Sequence, residues 1–235
     1  MSVTIAIHQP NFFPWLGYFD KIVRADVFVF LDHVQFPLKG GTYMNRVMVR
    51  SGKGDDWLTA PVERGRPPHN AINQTVFKPG FPWRRKVASA LRTYYGKAPH
   101  FDSVFPVLLD LLDHPANNVA DFNIAIITSL VGRLGIDGAR LVRSSDVAPE
   151  GQATDLLIGI VQRLGGDTYL CGGGADGYQN DELFAEAGIT LAYQTFKHPT
   201  YPQFDRNTFR PGLSIIDCLM NVGFAETAGL SKEHL

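Results

Sequence analysis

Thr4-Ile5-Ala6-Ile7-His8-Gln9-Pro10-Asn11-Phe12-Phe13-Pro14-Trp15-Leu16-Gly17-Tyr18 is a run that changes character twice. With Val3 in front, its first half is apolar and reads as a buried strand. Pro10 cannot donate to a sheet ladder and biases Gln9 away from helix, so the strand should end near His8. A helical pattern then starts near Trp15 and carries Phe19, Ile22 and Val23 before Ala25. A second apolar run, Val27 to Leu31, follows and ends in Asp32-His33-Val34-Gln35. The unit is strand, helix, strand. It places His8, Gln9 and Asp32 at two strand carboxyl ends, the edge of an open parallel sheet where ligands bind.

Composition narrows the classes. The 235 residues are 45% hydrophobic and 19% charged, ordinary for a globular protein with a sizeable core. A formal net charge of −1 gives no electrostatic reason to expect nucleic acid or an anionic membrane as partner. Cys171 and Cys218 form no disulfide framework and have no metal-ligand spacing, so a reduced, cytoplasmic setting is expected. Charges interrupt each apolar run before membrane-spanning length, which predicts no membrane insertion.

Further along, Thr42 to Arg50 alternates with period two as a half-exposed strand does. A turn at 51–56 leads to a second strand, 57–62, and residues 72–77 read as a third. Three short strands without intervening helices predict an antiparallel insertion over 42–77. A helical segment occupies 82–134. One helix runs from Trp83 to Tyr94 or Tyr95, one is capped by Ser103, and one starts at Asn118 or Asp121 and stops at Gly135. Strand and helix then alternate again. Strand 139–143 ends in Ser144-Ser145-Asp146, a helix starts at Thr154, and strand 168–171 leads into the loop 172–178. A helix through Leu183 and Phe184 precedes strand 189–193, and Ser214 opens a final helix. Successive strands end in polar or glycine clusters, which predicts one composite site along one sheet edge.

Several residues in these clusters carry chemistry. His8 is the leading acid/base or phosphate-facing group, because imidazole titrates near neutrality; the bland alternative is a histidine bonded to backbone at a strand end. Asp32 either orients His8, binds a hydroxyl or a metal, or caps a helix or turn. Gly172-Gly173-Gly174 lets a ligand approach backbone amides, or is only a tight turn; Tyr178 follows in the same loop. Cys171 is either a nucleophile or a small buried hydrophobe. Tyr43, Asn45 and Arg46 on the insertion form a clamp for phosphate or carboxylate, or a solvated strand face. His198, Tyr201 and Gln203 belong to an aromatic, Pro-rich stretch too structured for a linker. Asp217 interrupts an apolar stripe, so it either faces the site or makes a buried hydrogen bond. No group of these has a recognised metal-ligand spacing.

Taken together, these motifs resemble the WbqC-like protein family of bacteria. The resemblance rests on Ile7-His8-Gln9-Pro10 with Pro14 to Phe19, on Asp26 to Gln35, and on Asn45-Arg46 and Trp57-Leu58-Thr59. It extends through Asn123, Ser144-Ser145, Tyr169 to Gly174, Tyr178, His198-Pro199, Tyr201, Gln203 and Leu213 to Asp217. Cys171 stands where this family's pattern has Ser, which weighs against a thiol nucleophile. A fainter similarity to adenylating enzymes, without their histidine pair, extends to the fold only. The resemblance implies a role near surface-polysaccharide or modified-sugar biosynthesis.

The expected architecture is one α/β domain over 1–235, a mainly parallel Rossmann-like sheet with an antiparallel β insertion and a helical segment. The expected function is a transferase, without cofactor, that moves an acyl or aminoacyl group onto an amino sugar carried by a nucleotide. In that reading His8 is the base and Asp32 orients it or a sugar hydroxyl, with His198 as a further catalytic candidate. Arg46 and the glycine loop hold phosphate, and Trp15, Tyr18 and Tyr201 stack on base or sugar. Gln9, Gln35, Tyr43, Asn45, Ser145, Tyr178, Gln203 and Asp217 complete the candidate binding set. The rivals are a binding or scaffold protein of the same pathway and a metal-assisted hydrolase.

Overall fold

A computed structural model describes residues 2–37, 43–63, 70–172, 180–203 and 208–232. Its centre is a five-stranded sheet built from β1 (Thr4–His8), β2 (Val27–Phe30), β5 (Arg140–Arg143), β6 (Thr168–Gly172) and β7 (Thr190–Gln194). Every pairing in it is parallel, in the order β5-β2-β1-β6-β7. Counted within the sheet alone this is 3-2-1-4-5, the order of the doubly wound nucleotide-binding architecture. Between β2 and β5 lies the predicted antiparallel element, β3 (Arg46–Ser51) against β4 (Gly54–Thr59).

Side-chain alternation sorts the central strands between two cores. Ile5, Ile7, Val27 and Val29 pack with Leu156, Ile160 and Val161 of α6 (Ala153–Arg163) and Phe184 of α7 (Asp181–Glu186). Ala6, Phe28 and Phe30 face the other way, against Leu16, Phe19 and Ile22 of α1 (Leu16–Val23). That second core is continuous with α2 (Trp83–Tyr95), α3 (Phe101–Leu112), α4 (Val119–Arg133) and α8 (Ile215–Leu230). Helices thus cover both faces, as an all-parallel sheet requires. Among the described residues no helix is long and apolar enough to cross a membrane.

Two local expectations fail for identifiable reasons. Residues 72–77 do not form a third strand. Ile72–Gln74 is a 3-10 turn in which the Ala71 carbonyl accepts from Gln74 N and from Thr75 Oγ1, while the Gln74 side chain returns to Ala71 N. These local bonds compete with a ladder, leaving only single bridges at Val76 and Phe77. Ser103 does not cap α3; the helix begins two residues earlier and the Ser103 hydroxyl donates to the His100 carbonyl. By contrast Asn118 and Ser214 do cap α4 and α8, accepting from Asp121 N and Ile216 N. The segment Ser144-Ser145-Asp146 closes β5 as a one-turn helix, α5 (Ser144–Val147).

The joint between α6 and β6 depends on a glycine. A Cβ on Gly166 would lie 2.3 Å from Ile5 Cγ1 in β1 and 3.1 Å from Val161 Cγ1 in α6. Overpacking of this kind costs ~1–3 kcal/mol. Gly166→Ala should therefore lower the unfolding free energy measured in urea by an amount in that range, seen as a lower midpoint with an unchanged m-value.

Candidate functional site

The strand order reverses at β1, which sends β2 and β5 to one side and β6 and β7 to the other. Open sheets bind ligands at such a switch point, outside the strand carboxyl ends. A cleft of about 590 Å³ lies there, lined by His8 and Gln9 at the end of β1, Trp15 and Lys21 of the α1 region, and Gly172, Gln194 and Phe196 at the ends of β6 and β7. The β1–β6 ladder runs only from Thr4/Thr168 to Ala6/Leu170, whereas β1–β2 continues to His8/Phe30. The two central strands therefore separate at Ile7. Lys21 fills the gap: its Nζ donates to the Ile7 carbonyl at 2.9 Å.

His8 is held in one tautomer. Its Nδ1 lies 3.0 Å from the Gln9 carbonyl oxygen, which can only accept, so Nδ1 carries the proton and Nε2 keeps its lone pair. Tyr18 supports the same geometry, donating from its hydroxyl to the same carbonyl at 3.0 Å and meeting the imidazole edge-on at 4.8 Å. Burial, reinforced by the Lys21 charge, lowers the His8 pKa to about 4. Burial likewise pushes the Lys21 ammonium down to about 8, with Cys171 on β6 opposing the shift. Both values follow from ionisable groups placed where water is scarce.

Trp15 forms an aromatic wall of the cleft. Its indole covers Gly17 so closely that a Cβ there would lie 2.3 Å from the ring. Phe196 meets it edge-on at 5.2 Å, and His198 stacks behind it at 6.4 Å. His198 is turned like His8, with Nδ1 2.9 Å from the Pro199 carbonyl. It supports Trp15 from behind.

The pattern of the WbqC-like protein family matches residues 9–228, a span that begins just after β1 and His8 and takes in the rest of the cleft lining. The chain belongs to the WbqC-like protein family. It is also similar to the uncharacterized protein Rv1507c of Mycobacterium tuberculosis, with 29% identity over 222 residues that cover 93% of this chain and 94% of that one. No solved structure matches the chain.

Within this WbqC-like chain the expected composite site divides. His8, Gln9, Trp15 and Gly172 come together in the cleft. Asp32 and Ser145 form a second cluster. The buried Asp32 carboxylate accepts from Ser144 Oγ and Ser145 N at 3.0 Å and from Ser145 Oγ at 2.8 Å. It caps α5 from outside that helix and ties β2 to β5; no hydrogen bond joins it to His8.

A third group lies in the helical layer, where buried Asp217 accepts from Tyr95 at 2.7 Å, Tyr201 at 2.9 Å and Gln203 at 3.1 Å. Tyr201, Gln203 and Asp217 are therefore bound to one another, and burial raises the Asp217 pKa. Tyr43, Asn45 and Arg46 sit at the start of the hairpin. Tyr43 is exposed beside Trp57, Asn45 donates to the Ala60 carbonyl, and the Arg46 guanidinium lies 4.4 Å from the Trp57 ring centre. Gln35 is an exposed bridge partner of Ala71. Gly173, Gly174 and Tyr178 lie outside the described residues.

Lys21 was missed by sequence reasoning, although a signal existed. Seven of the eight α1 residues are buried, Asp20 and Lys21 among them. A charged pair inside a short helix flanked by apolar strands is a candidate for buried chemistry. Asp20 is committed elsewhere, accepting from Gln194 Nε2 at 2.7 Å and lying 3.8 Å from Arg24.

The His8 shift fixes a pH dependence. An unfolded imidazole takes up a proton near pH 6.5 and the folded one only near 4, so the unfolded state binds more protons between those values. The stabilisation is complete above pH 6.5 and is lost as pH falls to 4. In urea melts at pH 4, 5, 6 and 7, wild type should lose stability relative to His8→Asn as pH falls from 6.5 to 4, with no further change between the two above that window.

Proposed function

We propose that this protein is a group-transfer enzyme that moves an acyl or aminoacyl group onto an amino sugar carried by a nucleotide, within surface-polysaccharide or related biosynthesis. One observation carries the reading: an imidazole with its lone pair on Nε2 opens into the switch-point cleft, its tautomer set by a backbone carbonyl. The cleft suits a nucleotide-linked sugar in size and place, and the Trp15 and Phe196 rings offer faces for a base or sugar.

In this reading the amine nitrogen attacks the acyl carbon, the N–C bond forms and the bond from acyl carbon to donor breaks. His8 Nε2 takes the proton that the amine loses. Gln9 and Tyr18 hold the ring, and His198 supports the Trp15 wall. Asp32 acts through the shape of the neighbouring strand end, because its oxygens are already engaged. A binding protein without turnover is favoured by one feature, the low proton affinity of unliganded His8, which makes it a poor base until something in the cleft raises it.

The experiment starts with a thermal-shift panel of nucleotide-linked amino sugars and acyl donors, followed by single-turnover assays on the pair that stabilises most. Loss of the base should slow the chemical step ~10²–10⁴-fold in both His8→Ala and His8→Asn, with melting curves near those of wild type. Full activity in His8→Asn would move the base elsewhere. Stabilisation by ligand without turnover in wild type would favour the binding protein.

A further inference from the structure

We infer that Lys21 is the receptor for a phosphoryl group of the ligand, which enters the gap between β1 and β6 as the missing counter-ion of a buried ammonium. The inference deepens the proposed function but rests only on the cleft being a ligand site, not on turnover.

The geometry leads there in three steps. First, Lys21 is only 3% exposed, and the hydrogen bond to the Ile7 carbonyl uses one of its three N–H donors. No carboxylate lies within 4 Å of it among the described residues. An uncompensated buried charge is costly and is expected to be paired.

Second, its neighbours do not supply the pairing. Asp20, next in the chain, is bonded to Gln194 and faces Arg24. His8 on β1 is neutral through the physiological range, and Cys171 on β6, which opposes the Lys21 shift, bonds to the Ala192 carbonyl at 3.5 Å.

Third, Lys21 lines the cleft. The remaining donors can be met by an oxygen anion from the cleft side. A phosphoryl group fits this setting better than a single carboxylate. It offers several oxygens to an ammonium, and sheet switch points accommodate phosphate-bearing ligands.

The assignment also links binding to chemistry. The Lys21 charge is one of the two causes that hold His8 at low proton affinity. A phosphoryl anion between them offsets that charge and raises His8 toward the range in which a base works near neutral pH.

The test uses inorganic pyrophosphate, uridine diphosphate and adenosine diphosphate as probes, with acetate as the carboxylate arm, titrated calorimetrically into wild type and Lys21→Met. Wild type should bind at least one phosphoryl probe more tightly than acetate. Lys21→Met should weaken that binding about 10–100-fold, the scale of a lost charge-assisted hydrogen bond.

The unliganded variant supplies a second readout. Folded Lys21 loses its proton near pH 8 and unfolded Lys21 near 10.5, so wild type carries the full cost of the buried charge below pH 8 and sheds it as pH rises to 10.5. Lys21→Met should therefore melt at or above the wild-type temperature at pH 7, and its advantage should shrink toward pH 10.5. A third readout needs no variant: the NMR titration midpoint of His8 in wild type should rise when the phosphoryl probe is bound.

The inference is overturned by no phosphoryl binding in wild type, by equal binding in Lys21→Met, by tighter binding of acetate, or by a His8 midpoint that does not move. Group transfer that persists in Lys21→Met with unchanged phosphoryl binding would sink the Lys21 role and leave the transferase standing. Phosphoryl binding that depends on Lys21, in a protein that transfers no acyl group, would uphold the Lys21 role and sink the transferase.

Discussion

The bond from Lys21 Nζ to the Ile7 carbonyl is the constraint on which the upper edge of the sheet depends. In a parallel ladder the Ile7 carbonyl, which points away from β2, would accept from a β6 amide. Here it accepts from a side chain of α1, and the β1–β6 pairing has already stopped at Ala6/Leu170. On the other side of β1 the ladder runs on, with Leu31 N bonded to the His8 carbonyl at 2.9 Å. An ammonium is therefore set where two central strands part. The parted strands form the cleft, and the same ammonium tunes the imidazole beside it.

The loop between His8 and Trp15 makes this possible. Pro10 ends the ladder, and the chain is then fixed to distant elements before it can enter α1. Phe12 N donates to the Tyr43 carbonyl at 2.8 Å, the Phe13 carbonyl accepts from Ser214 Oγ at 2.7 Å, and Ile215 N donates to the Pro14 carbonyl at 2.9 Å. Phe13 sits at φ 42°, a left-handed conformation unusual for an aromatic residue. Such a residue persists where its surroundings over-determine it, and buried Phe13 is held by both the hairpin side and α8. The short α1 is thereby aimed so that its buried Tyr18 and Lys21 reach back to β1.

Much of the fold was legible in the sequence because it rests on local signals. Pro10, the apolar runs 3–7 and 27–31, and caps such as Asn118 and Ser214 each act within a few residues of themselves. Where the reading went astray, the controlling fact was distant. Polar clusters end β1, β2, β5 and β6 alike, yet the sequence holds no statement of which strand lies beside which. Once β5 pairs with β2 rather than β1, Ser144 and Ser145 meet Asp32 and close a cap, and the Asp32 oxygens are taken up there. Residues 72–77 have a strand-like composition, but Gln74 and Thr75 satisfy Ala71 locally. Lys21 was hidden for the opposite reason. Lysine is among the residues least often buried, so a lysine in a helix reads as solvated until the packing of α1 on all sides is known.

Comparing the buried charges separates architecture from candidate chemistry. Four charged side chains are buried among the described residues: Asp20, Lys21, Asp32 and Asp217. Asp32 accepts three hydrogen bonds from the serines that start α5. Asp217 accepts from two tyrosines and a glutamine drawn from α2 and the segment before α8. Asp20 accepts from Gln194, which in turn also donates to the Gly17 carbonyl. Each carboxylate has its partners inside the fold, and a fully satisfied buried network rigidifies a core without needing a ligand. Lys21 differs in sign and in satisfaction: one cation, one neutral acceptor, and an open cleft on its remaining side. A fold that satisfies three buried carboxylates by hydrogen bonds from within and leaves the ammonium facing a cavity has placed its unmet electrostatic demand where a ligand can answer it.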